Sequence, residues 1–125
     1  MMAKKRILVI DDDPVILRVI NLKLSRGGFE VRTANNGTEG LQKAFEETPD
    51  LVITDIMMPK INGLVVYQEL KKNPKTEKVP VIFLTALGEE NEELKELGPF
   101  TVITKPFSPK QMLNTVNSML SLPLL

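Results

Sequence analysis

The chain has neither cysteine nor histidine among its 125 residues. Without cysteine there is no disulfide framework, no thiolate metal site and no thiol chemistry. Without histidine the commonest general base is missing, together with any zinc site built on imidazole. A charge imbalance is lacking too: sixteen basic and sixteen acidic residues cancel, so no global field draws the chain to nucleic acid or to an anionic membrane. Long apolar runs are absent, and none approaches a membrane span. The run behind the basic start breaks at Asp11, too soon for a signal peptide. These absences lead us to expect a cytoplasmic protein with no membrane and no direct nucleic-acid partner.

What is present is 42% hydrophobic and 26% charged, the balance of a globular protein with a sizeable core. The length suits one domain. We expect residues 1–125 to form it, with an ordered core over about 5–121 and no effector domain after the last helix.

Ile7 to Ile10 reads as a fully buried strand. Three aspartates follow, then Pro14, a favoured first helical residue, which makes Asp13 the expected N-cap. From Val15 to Leu24 the apolar positions form a broad helical stripe, and Val15, Val19 and Leu22 are assigned mainly to the core. Gly27-Gly28 ends that helix. Phe29 to Ala34 alternates as a second strand, and Asn35-Asn36-Gly37 turns into a helix over about Thr38 to Glu47. Gly40 inside it should cost about 1 kcal/mol relative to Ala. Leu51 to Thr54 is a third strand, ended by Asp55, and a loop closing at Asn62-Gly63 precedes a helix from about Leu64 to Lys72. Val79 to Leu84 is a fourth strand, finishing at Thr85-Ala86. A Glu-rich run over 88–98 predicts a short solvated helix with Leu94 and Leu97 inward. Thr101 to Thr104 is a fifth strand, and Ser108 with Gln111 forms a capping box for a last helix to about Leu120.

Strand and helix alternate five times, which gives an α/β fold with a parallel sheet, helices on both faces and right-handed crossovers. All strand C-termini then share one edge, where open α/β sheets bind ligands. That edge collects Asp11, Asp12, Asp55, Thr85 and, just past the fifth strand, Lys105. Taken singly, each has an ordinary use: Asp11, Asp12 and Asp55 as turn acids, Thr85 as a strand-end hydroxyl, Lys105 as a loop cation. Together they call for a physical account. Two carboxylates about 4 Å apart repel by roughly 4 kcal/mol at an effective dielectric near 20. Lys105 offers one compensating charge and a divalent ion two more. With oxygen ligands only, Mg²⁺ is the expected metal, with Mn²⁺ as its substitute. Such a site suits phosphoryl transfer to a carboxylate, with Asp55 attacking and Thr85 donating to a phosphoryl oxygen.

Asp11-Asp12 after the first strand, Asp55 after the third, M-M-P-K-I-N-G at 57–63, L-T-A at 84–86 and K-P-F at 105–107 resemble a response-regulator receiver domain, the CheY-like superfamily of two-component signalling. The likeness covers essentially the whole chain. It implies a flavodoxin-like, doubly wound (βα)5 fold with strand order 2-1-3-4-5. It implies Asp55 as phosphoacceptor, charged from a phosphohistidine on a sensor histidine kinase or a histidine phosphotransfer protein. Asp12, Asp55 and the backbone carbonyl of Met57 match the family's metal ligands, with Asp11 beside them; Thr85 and Lys105 match its switch hydroxyl and lysine. By the same likeness the domain assists its own phosphorylation and dephosphorylation without being a turnover enzyme, switches an unidentified output partner and can self-associate when phosphorylated. The first helix is where receivers meet histidine donors, so part of its stripe, with Phe107, is a candidate contact. Met57 and Leu87 flank the phosphoryl position, and both are apolar, which predicts poor access for hydrolytic water.

The chain departs from the family in several places. Where receivers often carry Tyr or Phe three residues before the lysine, it has Val102; Phe100 lies two residues earlier on the same strand face if no bulge intervenes. Gly98-Pro99 stands in place of Gly-Ala. The stretch from Thr85 to Lys105 is about two residues short of the family norm, and Asn62 replaces a commoner Asp as a turn substitution. These changes at the output face favour, as the alternative, a receiver-like protein–protein adaptor that does not depend on phosphate. A metal-dependent phosphatase using Asp55 covalently is a third reading, but nothing in the sequence could form its substrate cap.

Overall fold

Neighbouring strands that all run the same way cannot be joined by tight turns and must be returned by crossover helices, and that alternation sets the architecture. The structure, a computed structural model, describes residues 4–86 and 101–120. In chain order these form β1 (Arg6–Ile10), α1 (Pro14–Arg26), β2 (Glu30–Ala34), α2 (Gly37–Glu46), β3 (Leu51–Asp55), α3 (Gly63–Lys72), β4 (Val81–Ala86), β5 (Thr101–Lys105) and α4 (Pro109–Leu120). All strand pairs are parallel, in the order β2-β1-β3-β4-β5. This is the flavodoxin-like arrangement implied by the receiver motifs. The helix expected over 88–98, and Leu87, Gly98, Pro99 and Phe100, lie outside the described residues.

Side chains alternate across a strand, so the sheet builds two cores. Leu8, Ile10, Val52, Val81 and Phe83 face α2 and α3, meeting Ala44, Leu64, Tyr67 and Leu70. Ile7, Val9, Leu51, Ile53, Ile82, Leu84 and Ile103 face the other way, onto Ile20 and Leu24 of α1 and Met112 and Val116 of α4. Phe107 packs, partly buried, against that second core.

The caps follow the sequence closely. Asp13 accepts from the Val15 amide at 2.9 Å, with Pro14 in the first turn, and Gly27 closes α1. Ser108 accepts from the Gln111 amide at 3.3 Å. Gly40 has a packing reason: a Cβ there would overlap the Ile10 side chain, because α2 lies close on β1.

Three expectations are corrected. Val15 and Leu22 are 65% and 51% exposed and do not belong to the core; Ile20 and Leu24 fill it, with Ile16 and Leu17 packed against them. The apolar stripe of α1 is simply broader than the arc the sheet can cover. β4 begins at Val81 rather than Val79, since the Val79 amide turns back to Thr76 O and Pro80 has no amide to give. Asn62 is more than a turn residue: it caps α3, accepting from the Val65 amide at 3.0 Å.

Candidate functional site

The strand ends converge as the alternation requires. Asp11 directly follows β1 and is fully buried; Asp55 closes β3 and Thr85 lies near the end of β4, each only 6% exposed. Lys105 is the last residue of β5, not the first beyond it. Strand register aligns them: Asp55 pairs with Leu84, Thr85 with Thr104, and Ala86 with Lys105. The Lys105 ammonium reaches back between two acids, 3.2 Å from Asp11 Oδ2 and 3.1 Å from Asp55 Oδ2. Asp12, exposed on the same loop, completes a group of three carboxylates whose oxygens lie within 4.8 Å of one another.

Backbone amides hold the acids in place. Asp11 Oδ1 accepts from the Asp13 amide at 2.9 Å, and Asp55 Oδ1 accepts from the Met57 amide at 3.3 Å. The Thr54 hydroxyl donates to the Asp55 carbonyl at 3.0 Å. Gly63 opens α3 hard against that carbonyl, where a Cβ would collide with the Asp55 oxygen, and its amide donates to Ile56 O at 2.9 Å. Lys60, in the loop between, has a left-handed backbone with φ 67°. The I-N-G triplet was a signal for the helix start; the closeness of Gly63 to Asp55 and the backbone of Lys60 had none.

The electrostatics are those of an anion-rich pocket. Burial raises the Asp11 pKa above its ordinary value, and the nearby Asp55 charge adds to this, outweighing the Asp13 amide and Lys105. Burial alone would lower the Lys105 pKa. The hydrogen bond to Asp55 and the charges of Asp11 and Asp55 more than reverse that and hold it above the usual lysine value. Three acids around one ammonium leave negative charge in excess. Clustered carboxylate oxygens without nitrogen or sulfur donors fit a hard divalent cation such as Mg²⁺. Asp12 also lines a cleft of about 520 Å³ with Asn35, Asn36, Glu39, Pro59 and Lys60. Val102, where receivers often carry an aromatic ring, is 40% exposed.

The comparisons with known proteins agree with this geometry. Residues 7–117 match the family described as the response regulator receiver domain. The Synechocystis sp. protein named DNA-binding dual master transcriptional regulator RpaA is 38% identical over 117 residues, 92% of this chain and 48% of that protein. The Bacillus subtilis alkaline phosphatase synthesis transcriptional regulatory protein PhoP is 39% identical over 118 residues, 93% of this chain and 48% of its own. The chain thus spans about half the length of these curated relatives. Among solved structures, Vibrio cholerae chemotaxis protein CheY4 has a TM-score of 0.86 at 30% identity, covering 94% of this chain and all of that one. A response regulator receiver domain protein from Clostridium thermocellum has a TM-score of 0.82 at 38% identity, covering 92% and 93%. No helix among the described residues is long and apolar enough to cross a membrane. Strand order, converging acids and a family match over nearly the whole length lead to one conclusion: the chain belongs to the response regulator receiver domain family, the signalling domains of two-component systems.

Proposed function

We propose that the chain is a phosphoacceptor in a two-component phosphorelay, taking a phosphoryl group onto Asp55. The observation that carries this is the Lys105 ammonium held between Asp11 and Asp55 with Asp12 beside them. An Asp55 carboxylate oxygen attacks phosphorus, and an O–P bond forms as the N–P bond of a phosphohistidine breaks. The departing imidazole nitrogen keeps the electron pair and takes a proton. Lys105 neutralises charge on a phosphoryl oxygen, exchanging a carboxylate partner for it, and Thr85 donates its hydroxyl to another. Asp11, Asp12, Asp55 and the Met57 carbonyl would hold Mg²⁺, with Mn²⁺ as substitute. The ion supplies charge neutralisation between the attacking carboxylate and the phosphoryl group.

The donor on this reading is a sensor histidine kinase or a histidine phosphotransfer protein. The exposed Val15 and Leu22 of α1, flanked by Arg18, Lys23 and Arg26, form its docking face. The product is a signal, not a turnover: the domain assists its own phosphorylation and hydrolysis in the cytoplasm, then engages an output partner or a second copy of itself. Charge balance favours protein partners over nucleic acid for these residues. The DNA binding in the name of the Synechocystis relative belongs to a protein about twice as long.

Incubation with a small phosphodonor and Mg²⁺ should add one phosphate, mapped to Asp55 by peptide mass spectrometry. An Asp55→Asn variant that gained the same phosphate would overturn the assignment. A second reading, an adaptor independent of phosphate, is favoured by Val102 in place of the aromatic residue. Unchanged partner affinity between the phosphorylated and free forms would select it.

A further inference from the structure

A thioether beside the acidic cluster takes no direct part in the proposed phosphoryl transfer. Met57 follows Asp55 by two residues, its amide bonds to Asp55 Oδ1, and it is 64% exposed. Its neighbour Met58 is 8% exposed, Met112 is fully buried in the second core, and Met119 is half-buried. Oxidation of methionine by hydroperoxides turns an apolar, flexible side chain into a polar one and is reversed by sulfoxide reductases. Access separates the described methionines sharply, and the accessible one sits at the mouth of the site.

We propose that Met57 is a peroxide-responsive modification site whose sulfoxide shortens the life of a phosphoryl group on Asp55. In the modifying step a sulfur lone pair attacks one peroxide oxygen. The S–O bond forms as the O–O bond breaks, and the other oxygen leaves as water or an alcohol after taking up a proton. Sulfur loses two electrons and the peroxide gains them. The amide bond to Asp55 keeps the root of the side chain beside the nucleophile, and three rotatable bonds let its end sweep the phosphoryl position. A thioether there offers a hydrolytic water nothing to bind. A sulfoxide oxygen is a strong acceptor that can hold such a water against phosphorus.

The second half of the inference rests on Asp55 as phosphoacceptor, so the experiment has separate arms. The full chain is treated with limiting hydrogen peroxide and its sulfoxides are mapped by peptide mass spectrometry. Met57 should oxidise ahead of Met58 and Met112. Treated and untreated chains are then charged with a small phosphodonor and Mg²⁺, and loss of the phosphate mass is followed. Loss should be faster after oxidation by about two- to tenfold, the rate equivalent of one net hydrogen bond. Met57→Leu, which keeps the backbone and apolar volume, should lose the peroxide response, and Met57→Gln should imitate the sulfoxide without peroxide. Oxidation of Met57 no faster than of Met112 overturns the proposal. So does an unchanged lifetime after Met57 is oxidised, or equal acceleration in Met57→Leu. If the untreated chain takes no phosphate, the reading of Asp55 has failed, and with it the effect on lifetime; the mapping still decides the modification.

Discussion

Replacing Lys105 by Met tests the electrostatic core of the site. The two contacts at 3.2 and 3.1 Å each represent roughly 5 kcal/mol of gross attraction at an effective dielectric near 20. Desolvation of the ammonium and the acids offsets most of this. Removal leaves buried Asp11 facing Asp55 without a cation, and the Lys105 side chain is 25% exposed, so water softens the loss. We expect a net destabilisation of about 2–4 kcal/mol in EDTA, short of the upper range for a broken buried pair. For a domain of this size that lowers Tm by roughly 10 °C. Mg²⁺ should narrow the gap. It would no longer share the carboxylates with an ammonium, so it should bind the variant more tightly and raise its Tm by more than it raises the parent's. Metal at about ten times its Kd adds roughly 1.4 kcal/mol in either protein, and the variant reaches that point at a lower concentration. The pH dependence has a definite sign. A raised lysine pKa contributes stability that is fully present below the ordinary lysine value and is lost as pH rises through the folded value. The gap between parent and variant therefore closes only in strongly alkaline buffer. Melting curves in EDTA and across a Mg²⁺ series check all of this. A variant as stable as the parent without metal, or one with a smaller Mg²⁺ response, would refute the reasoning.

Asp11→Asn keeps an acceptor for the Asp13 amide while removing one buried charge. Because the folded Asp11 pKa is raised, its ionisation lowers stability as pH climbs from the ordinary carboxylate value through the folded one. The variant should melt higher than the parent at neutral pH in EDTA, match it in acid below the ordinary carboxylate pKa, and gain less from Mg²⁺. Lys60→Gly relieves the left-handed backbone at φ 67° and should stabilise by about 0.5–1 kcal/mol, read as a higher urea midpoint. Gly63→Ala forces a methyl group against the fixed carbonyl of Asp55; it should cost about 2 kcal/mol and slow phosphate uptake. Gly40→Ala gains about 1 kcal/mol of helix propensity but forces a methyl group into the buried Ile10 side chain. Overpacking costs about 1–3 kcal/mol, so its urea midpoint should not rise and should fall if Ile10 is held fast.

Much of the site could be read before the fold because strand ends mark themselves: an apolar run stops at a charge. Asp11, Asp55 and Lys105 were found that way, and sheet order brought them together. Asp13 and Ser108 were legible as caps because capping is local chemistry. The α1 stripe misled, since seven apolar positions in ten residues do not say which of two faces the sheet will cover. Pro80 misled at β4, where an apolar Val79 beside it suggested strand but its amide was already committed to a turn. The left-handed Lys60 and the tight seat of Gly63 follow from loop closure onto Asp55, which no residue type announces.

The order of the sheet gives the site an uneven footing. Asp11 and Asp55 arrive on β1 and β3, which have neighbours on both sides, whereas Lys105 arrives on β5, an edge strand of the sheet that the described residues form. Local opening begins where protection is thinnest, so β5 should exchange its amide hydrogens well before β1 or β3. The anions are thus fastened to the most durable part of the domain and their counter-ion to its margin. Fraying of that margin withdraws the ammonium while the carboxylates stay in position.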